Sequence, residues 1–162
     1  ARHGAAIVFT GQGDEERGLV REALAAMREP AIDACDRLGL GELIALLETC
    51  HLVVSNDTSV MHLASVVGTP VAALFGPTNP QQYGPWNPGD LVFWRGLYCS
   101  PCLTNYNLKV SHCSDPVCLR GITPEEVFEA IEKRWLGAHA ERGLRERPAR
   151  GPARSGSGDA ET

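Results

Sequence analysis

Leu52–His62 reads LVVSNDTSVMH, and how this stretch is interpreted decides the fold. Leu52, Val53 and Val54 form the apolar, β-branched run of a buried strand. The run stops at Ser55, and Asn56 and Asp57 are turn residues. From Thr58 to Val67 apolar side chains recur at helical spacing, and Gly68 with Pro70 just beyond closes that helix. A strand feeding directly into a helix is half of a β–α–β unit, from which parallel sheets are built.

The flanking sequence repeats the theme. AAIVFT at 5–10 predicts a strand that stops at Gly11. Leu19, Val20, Ala23, Leu24 and Met27 then mark a helix over 14–27, opened by Asp14, Glu15 and Glu16, whose charges suit its positive end. A weak strand at 31–34 and a short helix at 42–49 follow, the latter with Leu43, Ile44, Leu46 and Leu47 inward. Beyond the opening stretch, Val71–Phe75 and Leu91–Trp94 predict two more strands, separated by the Pro- and Gly-dense loop GPTNPQQYGPWNPGD. Residues 96–121 carry four cysteines and no usable periodicity. ITPEEVFEAIEKRW predicts a helix with Thr123 as N-cap, Pro124 at its first position and Glu126 completing a capping box. There is no internal repeat.

Alternating strands and helices imply an α/β fold, a Rossmann-like parallel sheet with helices on both faces. The expected domain is 1–136, including the Cys-rich loop 96–121. The segment 137–162, rich in Gly, Ala, Arg, Pro and Ser, is expected to be a disordered tail.

Composition narrows the function. The 162 residues suffice for one domain, and 43% hydrophobic with 22% charged residues describes a water-soluble protein. No apolar run approaches the roughly 18 residues of a membrane-spanning helix. The net charge of −5 argues against non-specific nucleic-acid binding. It leaves room for a local phosphate site, because backbone amides need no net charge. The chain starts in ARHGAAIVFTG, without an initiator Met or a signal-peptide core, and this suggests a fragment. Without a secretory signal, six cysteines fit a reducing cytosol.

The opening stretch lies where ligands bind parallel sheets, beyond the carboxyl end of a strand. Thr58 and Ser59 start a helix whose free amides and dipole favour an anion. His62, three residues after Ser59 and four after Thr58, shares their face. Asp57 would repel phosphate and suits sugar hydroxyls better. The alternative is structural: Asp57 or Thr58 merely caps the helix, and His62 is an ordinary half-buried residue.

The run SNDTSVMHLASVVGTPVAALFGPTNPQQYGP resembles the signature of glycosyltransferase family 9, the heptosyltransferase-like enzymes, which is approximately D-T-G-x-x-H-x-A, then G-x-P, then F-G-P-T. The resemblance extends over about 5–135, including CSPC and CLRGITPEEV. It implies the C-terminal, donor-binding half of a GT-B glycosyltransferase, with the N-terminal domain missing. That enzyme would move a heptose-like sugar from a nucleotide diphosphate sugar to a lipopolysaccharide-type or lipid-linked saccharide acceptor. Thr58, Ser59 and His62 would surround the diphosphate and Asp57 would face the sugar. Glu15 would hold the nucleotide ribose, or else simply stabilise its helix. Leu38 falls where relatives pack the nucleobase, or is core. Ser59 departs from the pattern, which has Gly there, and its Cβ narrows the approach of a phosphate to the backbone. The catalytic base would belong to the missing domain, so the chain alone should bind donor weakly and not turn over. No catalytic cofactor is implied, and the expected location is the cytoplasm or the periphery of the inner membrane face. Two other classes remain: a non-catalytic sugar-nucleotide binding module, or a zinc-stabilised interaction domain.

Cys99, Cys102, Cys113 and Cys118 are spaced C-x2-C-x10-C-x4-C. Four thiolates at this spacing suit a closed, structural zinc site, with His112 as a substitute ligand. A disulfide pair or reduced, packed cysteines are the alternatives. Cys35 and Cys50 are expected in the core.

Overall fold

A computed structural model of the chain describes residues 4–108 and 110–136, so the expected tail lies outside the described residues. β1 (Val8–Phe9) and β2 (Ile32–Asp33) form a two-stranded parallel sheet, with Val8 opposite Ile32 and Phe9 opposite Asp33. Hydrogen bonds extend this ladder at both ends, from the Ile32 amide to the Ile7 carbonyl (2.8 Å) and from the Asp36 amide to the Gly11 carbonyl (3.0 Å). Helix α1 (Asp14–Ala26) connects the two strands. It buries Val20 but leaves Leu19 62% exposed, because two short strands are too narrow to cover the whole apolar stripe.

β3 (Val53–Asn56), β4 (Val71–Phe75) and β5 (Leu91–Trp94) form a second sheet in that spatial order, all parallel. Helix α2 (Leu40–Thr49) precedes β3, and α3 (Ser59–Val66) connects β3 to β4. β4 reads VAALF because it lies between two layers, and a strand covered on both faces is apolar throughout. Its alternate residues serve opposite faces. Val71, Ala73 and Phe75 pack with Leu47 of α2 and with Met61 and Ala64 of α3. Ala72 packs on the other face with Phe93 of β5 and Ile131 of helix α6 (Pro124–Ile131). The parallel sheet with helices on both faces is thus present, in two pieces.

Polar groups fasten the layers at the amino ends of the strands. Thr69, 1% exposed, donates to the Leu47 carbonyl at 2.7 Å and ties the end of α2 to the start of β4. The Asp90 carboxylate accepts from the amides of Val71 (2.8 Å) and Asn87 (3.0 Å), joining β4 to β5. Burial nevertheless pushes the Asp90 carboxyl up from its ordinary range, against those two hydrogen bonds.

Two expectations change. The loop 76–90 contains a short helix, α4 (Pro80–Tyr83), capped by the Asn79 side chain, which accepts from the Gln81 amide at 2.9 Å. Gly84 ends it where a Cβ would lie 2.3 Å from the Pro80 carbonyl oxygen, so only glycine fits. At α6, Thr123 accepts from the Glu126 amide at 3.2 Å as an N-cap should. The reciprocal half of the capping box is reduced to a minor interaction of the Glu126 carboxylate with the Thr123 amide. Glu126 pairs with Arg95 beyond β5, and Arg95 also donates to the Gly121 carbonyl. A guanidinium held at the end of a neighbouring strand outcompetes a single backbone amide for the carboxylate.

Candidate functional site

Thr58 is the N-cap of α3, with extended backbone (φ −142°, ψ 170°), and Ser59 is the first helical residue. A threonine here ordinarily accepts a hydrogen bond from a first-turn amide. Thr58 does not: α3 has no side-chain cap. Its hydroxyl instead pairs with the Ser55 hydroxyl at 3.2 Å, while Ser55 donates to the Asn56 carbonyl at 2.9 Å. The first-turn amides therefore carry the positive end of the α3 dipole without an internal anion or cap. Thr58 and Ser59 are exposed beside them, and Asp57 is half-buried in the turn.

His62 lies one turn further along α3. Its ring contacts Trp86, from the loop after α4, with centroids 5.7 Å apart and a tilt of 37°. Nδ1 is buried with no hydrogen-bond partner. A buried ring nitrogen without a partner forgoes a hydrogen bond, which costs roughly 1–3 kcal/mol. The imidazole as a whole is half-buried. Trp86 is 66% exposed, unusual for so large an apolar side chain. It lies in the Pro- and Gly-dense loop, where no periodic signal marks it.

The remaining predicted residues lie elsewhere. Glu15 is exposed in the first turn of α1, at the carboxyl end of β1, and no hydrogen bond among the described residues joins it to the α3 group. Its neighbour Glu16 folds back to accept from the Gln12 amide at 2.6 Å. Asp36 braces that loop from β2. It accepts from the Gly13 amide at 2.8 Å and pairs with Arg17, and these contacts hold its carboxyl below the ordinary range. Leu38, half-buried, follows in the same connection.

Beyond β4, Gly76 leads into Pro77 and Thr78. The Gly76 carbonyl accepts from the buried Ser100 hydroxyl at 2.5 Å, and the Trp94 indole donates to that hydroxyl at 3.2 Å. The Pro77 carbonyl accepts from the amides of both Cys102 and Leu103 at 2.8 Å. The Cys-rich segment is thus hydrogen-bonded to the loop that follows β4. An apolar cleft of about 500 Å³ lies on the sheet face covered by α6, lined by Val54, Leu74 and Phe128 among others, with Asn56 its one polar residue. Thr58, Ser59 and His62 do not line it.

The expected zinc ligands do not converge. Among the described residues, no group of three or more His, Cys, Asp or Glu side chains is placed to hold a metal ion. All six cysteines are free. Cys118 is buried in helix α5 (Val117–Arg120), whereas Cys99 and Cys113 are exposed, so the segment spreads its thiols between interior and surface. Cys35 is buried and Cys50 packs against the main core.

Parallel strands covered by helices, with an uncapped helix start beyond β3 flanked by hydroxyls and a histidine, make a Rossmann-like arrangement. Comparison with known proteins makes this specific. The profile of glycosyltransferase family 9 (heptosyltransferase) matches residues 1–110, and the chain belongs to that family. Lipooligosaccharide heptosyltransferase 2 of Campylobacter jejuni is 29% identical over 131 residues, 78% of this chain and 40% of that protein. Its Haemophilus influenzae namesake is 37% identical over 83 residues, 50% of this chain and 24% of that protein. The crystal structure of a family 9 glycosyltransferase from Veillonella parvula superposes with a TM-score of 0.67 at 28% identity, covering 84% of this chain and 38% of that one. The E. coli ADP-heptose lps heptosyltransferase II, at 22% identity and a TM-score of 0.65, shares the fold. The chain therefore spans less than half the length of these relatives.

Proposed function

We propose that this chain is the donor-binding half of a heptosyltransferase-type enzyme. In this reading the diphosphate of a nucleotide sugar sits at the start of α3. The first-turn amides, the hydroxyls of Thr58 and Ser59 and the imidazole of His62 donate to its oxygens. Asp57, in the turn, accepts from hydroxyls of the transferred sugar, and Glu15 accepts from the ribose. The observation that carries the proposal is the uncapped α3 N-terminus, where Thr58 turns its hydroxyl to Ser55 and leaves the amides for a ligand.

The chemistry is transfer of a heptose-like sugar to a hydroxyl of a lipopolysaccharide-type saccharide. The bond from the sugar to the diphosphate breaks, and negative charge builds on the leaving group. Amides and hydroxyls already aimed at that position stabilise the charge without reorganisation. His62, as a hydrogen-bond donor, supports the departing diphosphate. The acceptor must also lose a proton, and we assign that base to the part of the relatives that this chain does not span. Heptosyltransferase names among the relatives support this reading.

Calorimetric titration with ADP-, GDP- and UDP-sugars tests it, comparing the chain with a Thr58→Ala, His62→Ala double variant. The variant should bind at least tenfold more weakly, since losing two hydrogen bonds to a charged group costs about 1.5–3 kcal/mol each. Equal affinities would overturn the assignment.

A further inference from the structure

In the segment after β5, the Ser111 hydroxyl bridges the Cys102 thiol and the Cys113 backbone amide. Ser111 Oγ donates to Cys102 Sγ at 3.5 Å and accepts from the Cys113 amide at 3.2 Å. A single oxygen thus separates the Cys102 sulfur from the Cys113 backbone. The two cysteines differ in access and in anchorage. Cys113 is exposed, and its thiol donates to the Asp115 carbonyl at 3.3 Å. Cys102 is half-buried and held from both sides. Its amide donates to Pro77, and its carbonyl accepts from Asn107 Nδ2 at 2.7 Å. Cys99 is exposed and Cys118 is buried in α5, and no hydrogen bond among the described residues ties either thiol to Ser111.

We propose that Cys102 and Cys113 are a reversible thiol–disulfide site that sets how firmly the Cys-rich segment holds the Pro77 loop. The exposed partner reacts first. The Cys113 thiolate attacks one sulfur of a small-molecule disulfide such as glutathione disulfide, forming a mixed disulfide and releasing one thiolate. The Cys102 thiolate then attacks the Cys113 sulfur and expels the second thiolate. Two protein thiols are oxidised and one disulfide is reduced to two thiols, which take up the protons the cysteines lose. Rotation of the Cys113 side chain away from Asp115 is the movement required. Inside a cell such bonds are transient and act as sensors. The closed ring would restrain residues 102–113 and, through the Cys102 and Leu103 amides, the Pro77 carbonyl.

The test uses the whole chain, with and without glutathione disulfide, followed by alkylation of free thiols and digestion with trypsin. Cleavage after Lys109 separates the two cysteines, so the bond links peptide 96–109 to peptide 110–120 until reduction. Fragmentation should place the crosslink at Cys102–Cys113, with loss in Cys113→Ser and retention in Cys99→Ser. Deuterium exchange at the Cys102 and Leu103 amides should slow severalfold on oxidation, a readout independent of any donor. A crosslink through Cys99 or Cys118, glutathione adducts alone, or unchanged exchange would overturn the proposal.

Discussion

Thr58 and His62 show how much one side chain's direction decides. Thr58 has the residue type of an N-cap and the backbone of one, yet its hydroxyl goes to Ser55. Sequence placed it within the first turn, a displacement of one residue with chemical consequences, because an N-cap can choose between its helix and a neighbour. His62 was legible from its spacing; its orphaned Nδ1 and its contact with Trp86 were not, since both depend on a loop more than twenty residues away. Trp86→Ala should leave stability nearly unchanged, within roughly 0.5 kcal/mol for so exposed a residue. It should weaken nucleotide-sugar binding about two- to tenfold, the range of an aromatic contact worth about 0.5–1.5 kcal/mol. Thermal melting and calorimetry together check it, and a large loss of stability would make Trp86 a packing residue instead.

Among the elements, those with strong local codes fell where expected. β4 and β5 are bounded as predicted, because each is a compact apolar run with turn residues on both sides. Helix α6 begins at Pro124 behind its Thr123 cap. Thr123→Ala should lower stability by about 1 kcal/mol, the usual worth of a cap. Urea unfolding would measure it, and Thr123→Ser should recover most of the loss. The capping box is weakened because Arg95, distant in sequence, takes most of the Glu126 carboxylate, which keeps a lesser interaction with the Thr123 amide. Helix α4 escaped notice inside GPTNPQQYGPWNPGD because Pro and Gly dominate that composition. Pro80 at the helix start and Gly84 at its end are the signals that mark it in retrospect.

For the whole molecule, charge pairs set the response to acid. Arg17 with the Gly13 amide depresses the Asp36 carboxyl, and Arg95 with the Thr123 hydrogen bond lowers that of Glu126. A carboxyl with a lowered folded value contributes stability that is present above its unfolded pKa and lost as pH falls through the folded one. Asp90 works in reverse: its raised value gives a contribution present at low pH and lost as pH rises through the folded value. Melting temperature should therefore fall below about pH 4, the unfolded range of Asp and Glu. Asp36→Asn should be less stable than the parent at pH 7, and the gap should narrow as acid removes the parent's advantage. Asn tolerates the left-handed backbone at 36 (φ 55°), so the variant isolates the charge. A gap that stayed constant from pH 7 to pH 3 would exclude this linkage.

The sequence by itself determined the α/β class, the order of strands and helices, the family and the candidate anion site, because each is written in neighbouring residues through period, caps and turn chemistry. Tertiary structure alone decided that the sheet comes in two pieces, that Thr58 leaves α3 uncapped and that Trp86 leans on His62. It also set the four loop cysteines apart in access, with Cys118 buried and Cys99 and Cys113 exposed. These outcomes turn on which distant groups share a few ångströms, and spacing along a chain does not encode that distance.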